Sequence, residues 1–141
     1  MIAPREWIDA RENEMIKDIC DLISIPSISI LTNDPDAPFG VECLRALKGT
    51  LAIGQRMGFL TENHENYCGS LFWKGKNESE IGIFGHADVV PAGGGWTYEP
   101  FEPMVQDGII IGRGAWDNKG SFVAALYAIY YLKKQGYRPK N

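Results

Sequence analysis

Two short polar clusters interrupt an otherwise apolar second half of the chain, and their residue types suit a bound metal ion. The first is GHADVV (85–90), in which His86 and Asp88 are two residues apart and project to the same side of an extended chain. An imidazole that ligates a metal usually donates its other N–H to a carboxylate, and Asp88 is placed to accept it. By itself the pattern is weak evidence for a metal and favours a histidine held by a neighbouring aspartate at the end of a strand.

The second cluster is RGAWDNKGS (113–121), which lies between a short apolar run and an apolar helix. Its glycines suggest a phosphate-binding loop, but the Walker pattern requires Gly-Lys-Ser/Thr, and here Lys119 precedes Gly120. The dinucleotide fingerprint requires a glycine where Asp117 stands, and a carboxylate there would repel a phosphate. Both nucleotide-binding interpretations are therefore excluded.

Asp117 then has two interpretations. As the N-cap of the following helix it would accept backbone N–H bonds, a contribution of about 1 kcal/mol, but this leaves Lys119 and the flanking glycines without explanation. Alternatively its carboxylate lies at the strand ends beside His86, where open α/β sheets bind their ligands. A histidine with a carboxylate suits zinc, manganese or cobalt.

The elements that must position these clusters follow from apolar spacing and turn residues. Helices are predicted at 5–24, 41–57 and 119–135, ended by Pro26, Gly58 and Gly136. Strands are predicted at 67–75, 80–90 and 108–113, with a hairpin turn between the first two and a long loop over 91–108. The last helix is apolar around most of its circumference, which predicts deep burial. This order predicts an α/β domain, a mixed β-sheet with helices on its faces.

Composition and charge exclude several classes of protein. The 141 residues, 45% hydrophobic and 23% charged, suffice for one domain with a sizeable core. A net charge of −4 argues against nucleic-acid binding, and no apolar run approaches the roughly 20 residues of a membrane span. The three cysteines are far apart and form no CxxC motif, which indicates free thiols and a cytoplasmic location.

The stretch from GHADVV to RGAWDNKGS (85–121) resembles the dinuclear-zinc exopeptidases and amidohydrolases, a family that includes aminoacylase, succinyl-diaminopimelate desuccinylase and carboxypeptidase G. The shared motifs are His-x-Asp, then Trp and Pro-Phe, then Gly-Arg-Gly-x-x-Asp-x-Lys-Gly. The VPAGGGW run is most similar to the dipeptidase V branch. The resemblance is dense over 80–138 and extends in element order over 5–75. It implies an incomplete zinc-exopeptidase catalytic domain. Residues 1–141 would be its N-terminal part, without the rest of that domain and the lid or dimerisation domain.

Carried over to this sequence, the resemblance assigns a role to each candidate residue. His86 would bind one metal, Asp88 would be the catalytic carboxylate behind its imidazole, and Asp117 would bridge two divalent metals. Zinc is the expected metal, with manganese or cobalt as alternatives. The peptide bond after Asp117 would be a non-proline cis bond. In the family, the remaining ligands and the general-base glutamate lie further downstream. His64, the one other histidine of the sequence, fits a solvated surface residue.

The implied reaction is metal-dependent hydrolysis of the amide bond of dipeptides or small N-acyl amino acids, with this chain a fragment that is inactive alone. A small peptide or N-acyl amino acid is the expected partner; nucleic acid and membranes are not. Two alternatives stay open: a metal-dependent deacylase or desuccinylase, and a non-catalytic binding or dimerisation module on the same scaffold. An unpaired sheet edge is expected as well, which predicts homo-oligomers.

Overall fold

The computed structural model describes residues 2–140, so Met1 and Asn141, the limits of the predicted domain 1–141, lie outside the described residues. Its helices are α1 (Pro4–Asp9), α2 (Glu12–Ile23), α3 (Val41–Arg56) and α4 (Lys119–Lys134). Its strands are β1 (Leu60–His64), β2 (Cys68–Phe72), β3 (Met104–Gln106) and β4 (Ile109–Ile111). Helix α4 packs along α2, and α3 covers the β1–β2 ribbon.

The first predicted helix is divided in two. A single helix over 5–24 is wrong, because the chain leaves helical geometry at Arg11, with φ −126° and ψ 9°. The break places the indole of Trp7 in the core, edge-on to Tyr130 and Tyr131 of α4 at centroid distances of 5.5 Å. The guanidinium of Arg11 covers the indole at 4.2 Å. Burial of Trp7 against α4 therefore sets the direction of α1.

Strands β1 and β2 form an antiparallel hairpin in which His64 lies opposite Cys68. The turn contains two consecutive residues with positive φ, 51° at Glu65 and 63° at Asn66. Such left-handed pairs match the twist of hairpin strands, and asparagine tolerates them well. The polar stretch around His64 is thus a strand end and turn, whose mostly exposed side chains carry no apolar alternation.

The predicted hairpin between 67–75 and 80–90 is therefore wrong. The residues of its supposed turn, Lys76 and Asn77, instead donate their amides at 3.0 Å to carbonyls in the segment that follows α4. Within the described chain, residues 80–88 pair with no strand. The only bridge of this segment is a parallel one between Val89 and Ile28.

The long loop predicted at 91–108 contains a strand of its own. β3 pairs antiparallel with β4, and Met104 lies opposite Ile111. The turn between them passes through Asp107 and Gly108, both with positive φ. The apolar strand predicted at 108–113 is confirmed as β4, although it is shorter and belongs to a two-stranded ribbon.

The ends of the two long helices follow the predicted signals. Gly58 after α3 and Gly136 after α4 have φ of 78° and 74°. At Gly136 the amides of Gly136 and Tyr137 donate to the carbonyls of Lys133 and Leu132, which is the Schellman arrangement. Helix α4 is buried along one face rather than all round. The core joins α2, α3 and α4 through the side chains of Ile19, Leu22, Ile23, Ala46, Ile53, Val123, Leu126 and Tyr127.

No helix in the described part of the chain is long and apolar enough to cross a membrane.

Candidate metal centre

His86 is held by the segment that follows α2. The hydroxyl of Ser27, which is fully buried, donates to the carbonyl of Ala87 at 2.7 Å, and the amide of Val89 donates to the Ser27 carbonyl at 2.8 Å. These two bonds fix the backbone on both sides of Asp88. The His86 imidazole, 48% exposed, is thereby left at the surface beside the start of α4.

Asp117 lies in the tight turn between β4 and α4. The turn is closed by Gly114, with φ 94°, whose carbonyl accepts the Gly120 amide at 3.2 Å. Gly120 admits no side chain, because a Cβ there would lie 1.9 Å from the carbonyl oxygen of Ala115. The peptide bond between Asp117 and Asn118 is cis, as the resemblance implies.

The Asp117 carboxylate does not cap α4. The N-cap residue is Asn118, and no side chain bonds the first helical amides there. The Asn118 side chain links the clusters instead: its Oδ1 accepts the His86 backbone N–H at 3.3 Å, and its Nδ2 donates to Ser121 Oγ at 3.2 Å. The N-cap interpretation of Asp117 is therefore wrong, and its carboxylate, 77% exposed, faces His86.

The three predicted site residues come together around one imidazole. Nε2 of His86 lies 3.1 Å from Oδ1 of Asp117, and Nδ1 lies 3.2 Å from Oδ1 of Asp88. The carbonyl of Asp88 is also within reach of Nδ1, at 3.1 Å. Each ring nitrogen thus faces its own carboxylate, contributed by a different segment of the chain.

The charges around the imidazole favour its protonated form. Burial opposes protonation, but the carbonyl of Asp88 and the carboxylates of Asp117 and Asp88 outweigh it and raise the pKa of His86. An ion bound between Nε2 and Asp117 would take the place of that proton. The arrangement therefore attracts positive charge, either a proton or a metal.

The donor set fits one side of a metal site. Two ligands of a tetrahedral zinc, each about 2.0–2.1 Å from it, are about 3.3 Å apart, close to the 3.1 Å between His86 Nε2 and Asp117 Oδ1. The residues described here include no group of three histidine, cysteine or acidic side chains able to hold a metal. His64 does not contribute, because it lies on the β1–β2 hairpin and contacts Ser70 Oγ at 3.0 Å.

A cavity of about 340 Å³ opens beside His86 and Asp88. Apolar side chains of α3 and β2 form much of its wall, among them Leu47, Leu51 and Leu71. A ligand at the His86–Asp117 pair would therefore have an apolar surface on one side.

The loop after Val90 is tied to β4 by Arg113. The guanidinium donates to the carbonyl of Ala92 at 3.0 Å and stacks 5.2 Å from the ring of Trp96, whose indole N–H donates to the same carbonyl at 2.8 Å. The Arg and Trp of the recognised motif are therefore structural partners that order the loop beside the site.

Two residues that support the site were given no role by the sequence: Lys119, which was left without explanation, and Gly85. Lys119 is 1% exposed, and burial lowers its pKa to about 8. A lysine in the first turn of an otherwise apolar helix is electrostatically unfavourable, and this was the available signal. The reason for Gly85 is steric. A Cβ there would lie 2.3 Å from Phe122, and a glycine within an apolar run is the usual sign of such close approach.

The second half of the chain is similar to a known family of peptidases. Residues 82–141, which contain His86, Asp88 and Asp117, match the profile of the peptidase family M20/M25/M40. The resemblance seen in the sequence is thereby confirmed: this chain is related to the dipeptidases of the M20 peptidase family.

The particular relatives are dipeptidases. The chain is 39% identical over 139 residues to the Beta-Ala-Xaa dipeptidase of Lactobacillus delbrueckii subsp. lactis, covering 97% of this chain and 29% of that protein. Its structure is similar to that of human carnosine dipeptidase 1, with a TM-score of 0.74 and 23% identity, over 94% of this chain and 31% of the other. The predicted fold class is therefore confirmed, and the chain spans less than a third of these relatives' length.

Proposed function

We propose that this chain supplies part of a metal-dependent peptidase centre that hydrolyses the amide bond of dipeptides. The observation that carries the proposal is the 3.1 Å approach of His86 Nε2 to Asp117 Oδ1, with Asp88 at the opposite ring nitrogen. The relatives named above are dipeptidases, which supports a dipeptide as substrate. Small N-acyl amino acids present the same amide bond and are the alternative substrates of a deacylase or desuccinylase.

Each residue has a distinct part in this centre. With a metal at Nε2, the Nδ1–H of His86 would donate to Asp88, whose carbonyl and carboxylate lie 3.1 Å and 3.2 Å away, and this would leave the Nε2 lone pair available to the metal. Nε2 of His86 and the Asp117 carboxylate would hold one metal, and the same carboxylate would contribute to holding a second. Zinc suits these nitrogen and oxygen donors, as do manganese and cobalt. When bound, the metal supplies Lewis-acid polarisation of the scissile carbonyl.

We propose that residues 1–141 correspond to the N-terminal part of the catalytic domain and hydrolyse little substrate by themselves. The reason is the donor count: a catalytic zinc takes about three protein ligands, and the described residues bring together no such group. The free Cys20, Cys43 and Cys68 support a reducing, cytoplasmic location.

A chimera tests the function directly. This chain would replace the aligned 139-residue segment of the Lactobacillus relative, and hydrolysis of a β-alanyl dipeptide would be measured with added zinc, manganese or cobalt. Activity is expected in the chimera and in its H64A variant, and loss of at least about 10³-fold in the H86A and D117A variants, since these remove transition-state stabilisation. Folded H86A and D117A chimeras that keep their activity would disprove the proposal.

A second candidate, a non-catalytic dimerisation module, is favoured by one observation. Ile81, Ile83 and Phe84 are 77%, 57% and 96% exposed in a segment that pairs with no strand of the described chain. Such a surface is suited to contact with another polypeptide. An inactive chimera that folds and dimerises through this segment would favour the module over the enzyme.

A further inference from the structure

We propose that Lys119 is a positioning residue for the His86–Asp117 pair, acting through a buried ammonium that ties the start of α4 to the end of α2. This inference rests on the proposed metal centre. Lys119 lies two positions after Asp117 and would contact neither metal nor substrate. Its role would be to fix the position of the Asp117 carboxylate.

The ammonium of Lys119 makes two directional bonds in the core. Nζ donates to the carbonyl of Leu22 at 2.8 Å and to that of Ile25 at 2.7 Å. The Leu22 carbonyl lies in the last turn of α2, where helix carbonyls carry partial negative charge, and the Ile25 carbonyl lies two residues beyond the end of that helix. A lysine that is unfavourable at the positive end of its own helix is therefore satisfied at the negative end of another.

The same short segment after α2 also holds the other half of the site. Ser27, two residues beyond Ile25, bonds Ala87 through its hydroxyl and Val89 through its carbonyl, on both sides of Asp88. The segments that carry His86 and Asp117 are thus both hydrogen-bonded to residues 22–27. The distance between His86 and Asp117 depends on these two attachments, since the halves come from segments 31 positions apart.

Burial alone does not explain a lysine at this position. An ammonium in the core loses its hydration, so an apolar side chain of similar length would serve packing at least as well. Hydrogen bonds to two fixed carbonyls add direction, which apolar contact lacks. The geometry therefore points to alignment of the Asp117 turn, rather than packing, as what the charge contributes.

The test compares K119M with K119R and with K134M, a matched control in which an exposed lysine of the same helix is changed. Zinc alone would be titrated into each purified chain by calorimetry. We expect K119M to weaken zinc binding about 10-fold or more, as loss of a supporting bond behind a ligand does. K119R should fall between K119M and the wild type, and K134M should match the wild type.

A second readout needs no metal. The backbone N–H of His86 donates to Asn118 Oδ1 at 3.3 Å and so reports directly on the contact between the two halves. Its hydrogen exchange should accelerate in K119M by a larger factor than that of amides in the middle of α4, whereas general destabilisation would accelerate both together. If K119M does not fold, the same comparison is made with K119R.

The positioning role of Lys119 and the metallopeptidase function can fail independently. A folded K119M with wild-type zinc affinity and unchanged His86 exchange would overturn the positioning role. If the wild type takes up no measurable zinc, the exchange result decides alone. Selective loss of His86 protection together with fully active H86A and D117A chimeras would retain the alignment and reject the metallopeptidase.

Discussion

The hydroxyl of Tyr127 donates a hydrogen bond of 2.8 Å to Oδ2 of Asp18, inside the contact between α4 and α2. Asp18 is 3% exposed and also pairs with Arg56 of α3. One carboxylate therefore joins three helices. Because α4 begins at the candidate site, this contact supports the middle of the helix that follows Asp117.

Removing the two partners of this bond should have unequal effects. Y127F deletes one hydrogen bond to a charged group that keeps Arg56, and should lower the free energy of unfolding by about 1.5–3 kcal/mol. D18A removes both interactions and leaves the buried Tyr127 hydroxyl without its acceptor, so it should cost more than Y127F, about 3–4 kcal/mol. Arg56, which is 49% exposed, keeps Glu14 at 3.6 Å. Urea denaturation measures both, with Y137F, at an exposed tyrosine, as the control. Equal effects of Y127F and D18A would contradict the shared-carboxylate arrangement.

The raised pKa of His86 predicts how the site responds to pH. D117N and D88N should each lower that pKa, D88N by the smaller amount, because the Asp88 carbonyl remains as an acceptor at 3.1 Å. The shift of the His86 Hε1 resonance with pH measures the effect, and His64 serves as the internal reference. A His86 pKa that is unchanged in D117N would show that the two side chains are not in contact in solution.

The raised pKa of His86 also determines how the stability of the chain and its zinc affinity change with pH. The folded chain binds the His86 proton more tightly than the unfolded chain, so this contribution to stability is complete below the unfolded pKa of about 6.5 and is lost as pH rises through the folded pKa. Zinc requires the neutral ring. Zinc affinity should therefore decrease as pH falls through the raised pKa, which calorimetric titration at several pH values would detect.

Gly85 and Gly120, one from each cluster, should both tolerate substitution poorly. G120A places a Cβ 1.9 Å from the Ala115 carbonyl oxygen, and G85A places one 2.3 Å from Phe122. Each should lower the free energy of unfolding by about 1–3 kcal/mol or more. G94A is the matched control, since nothing lies within 4 Å of its Cβ. Thermal unfolding that ranks G94A with G120A would contradict the close approach at the α4 turn.

The exposed segment around Phe84 predicts self-association. F84K places a charge on a side chain that is 96% exposed, and should shift the chain toward monomer without lowering its stability. L31K, at a residue 79% exposed outside this segment, is the control. Sedimentation velocity over a range of concentrations measures the change. A wild-type chain that is monomeric throughout would refute the prediction.

Local sequence signals were sufficient for the long helices and for the residues that could carry chemistry. The ends of α3 and α4 follow from Gly58 and Gly136, whose positive φ values suit glycine. Neighbouring residues were also sufficient to exclude a phosphate-binding loop around Asp117. Strand pairing did not follow, because the register of β1 on β2 joins side chains that are mostly exposed and carry no apolar alternation.

The sequence alone determined that His86, Asp88 and Asp117 are chemically suited to a common site, since spacing and residue type express local chemistry. Only the tertiary structure decided that Asp117 faces His86 rather than capping α4, and that Lys119 turns inward to the end of α2. These outcomes depend on contacts between residues 31 to 97 positions apart. Such contacts form only when the helices pack, and no periodicity within one segment encodes them.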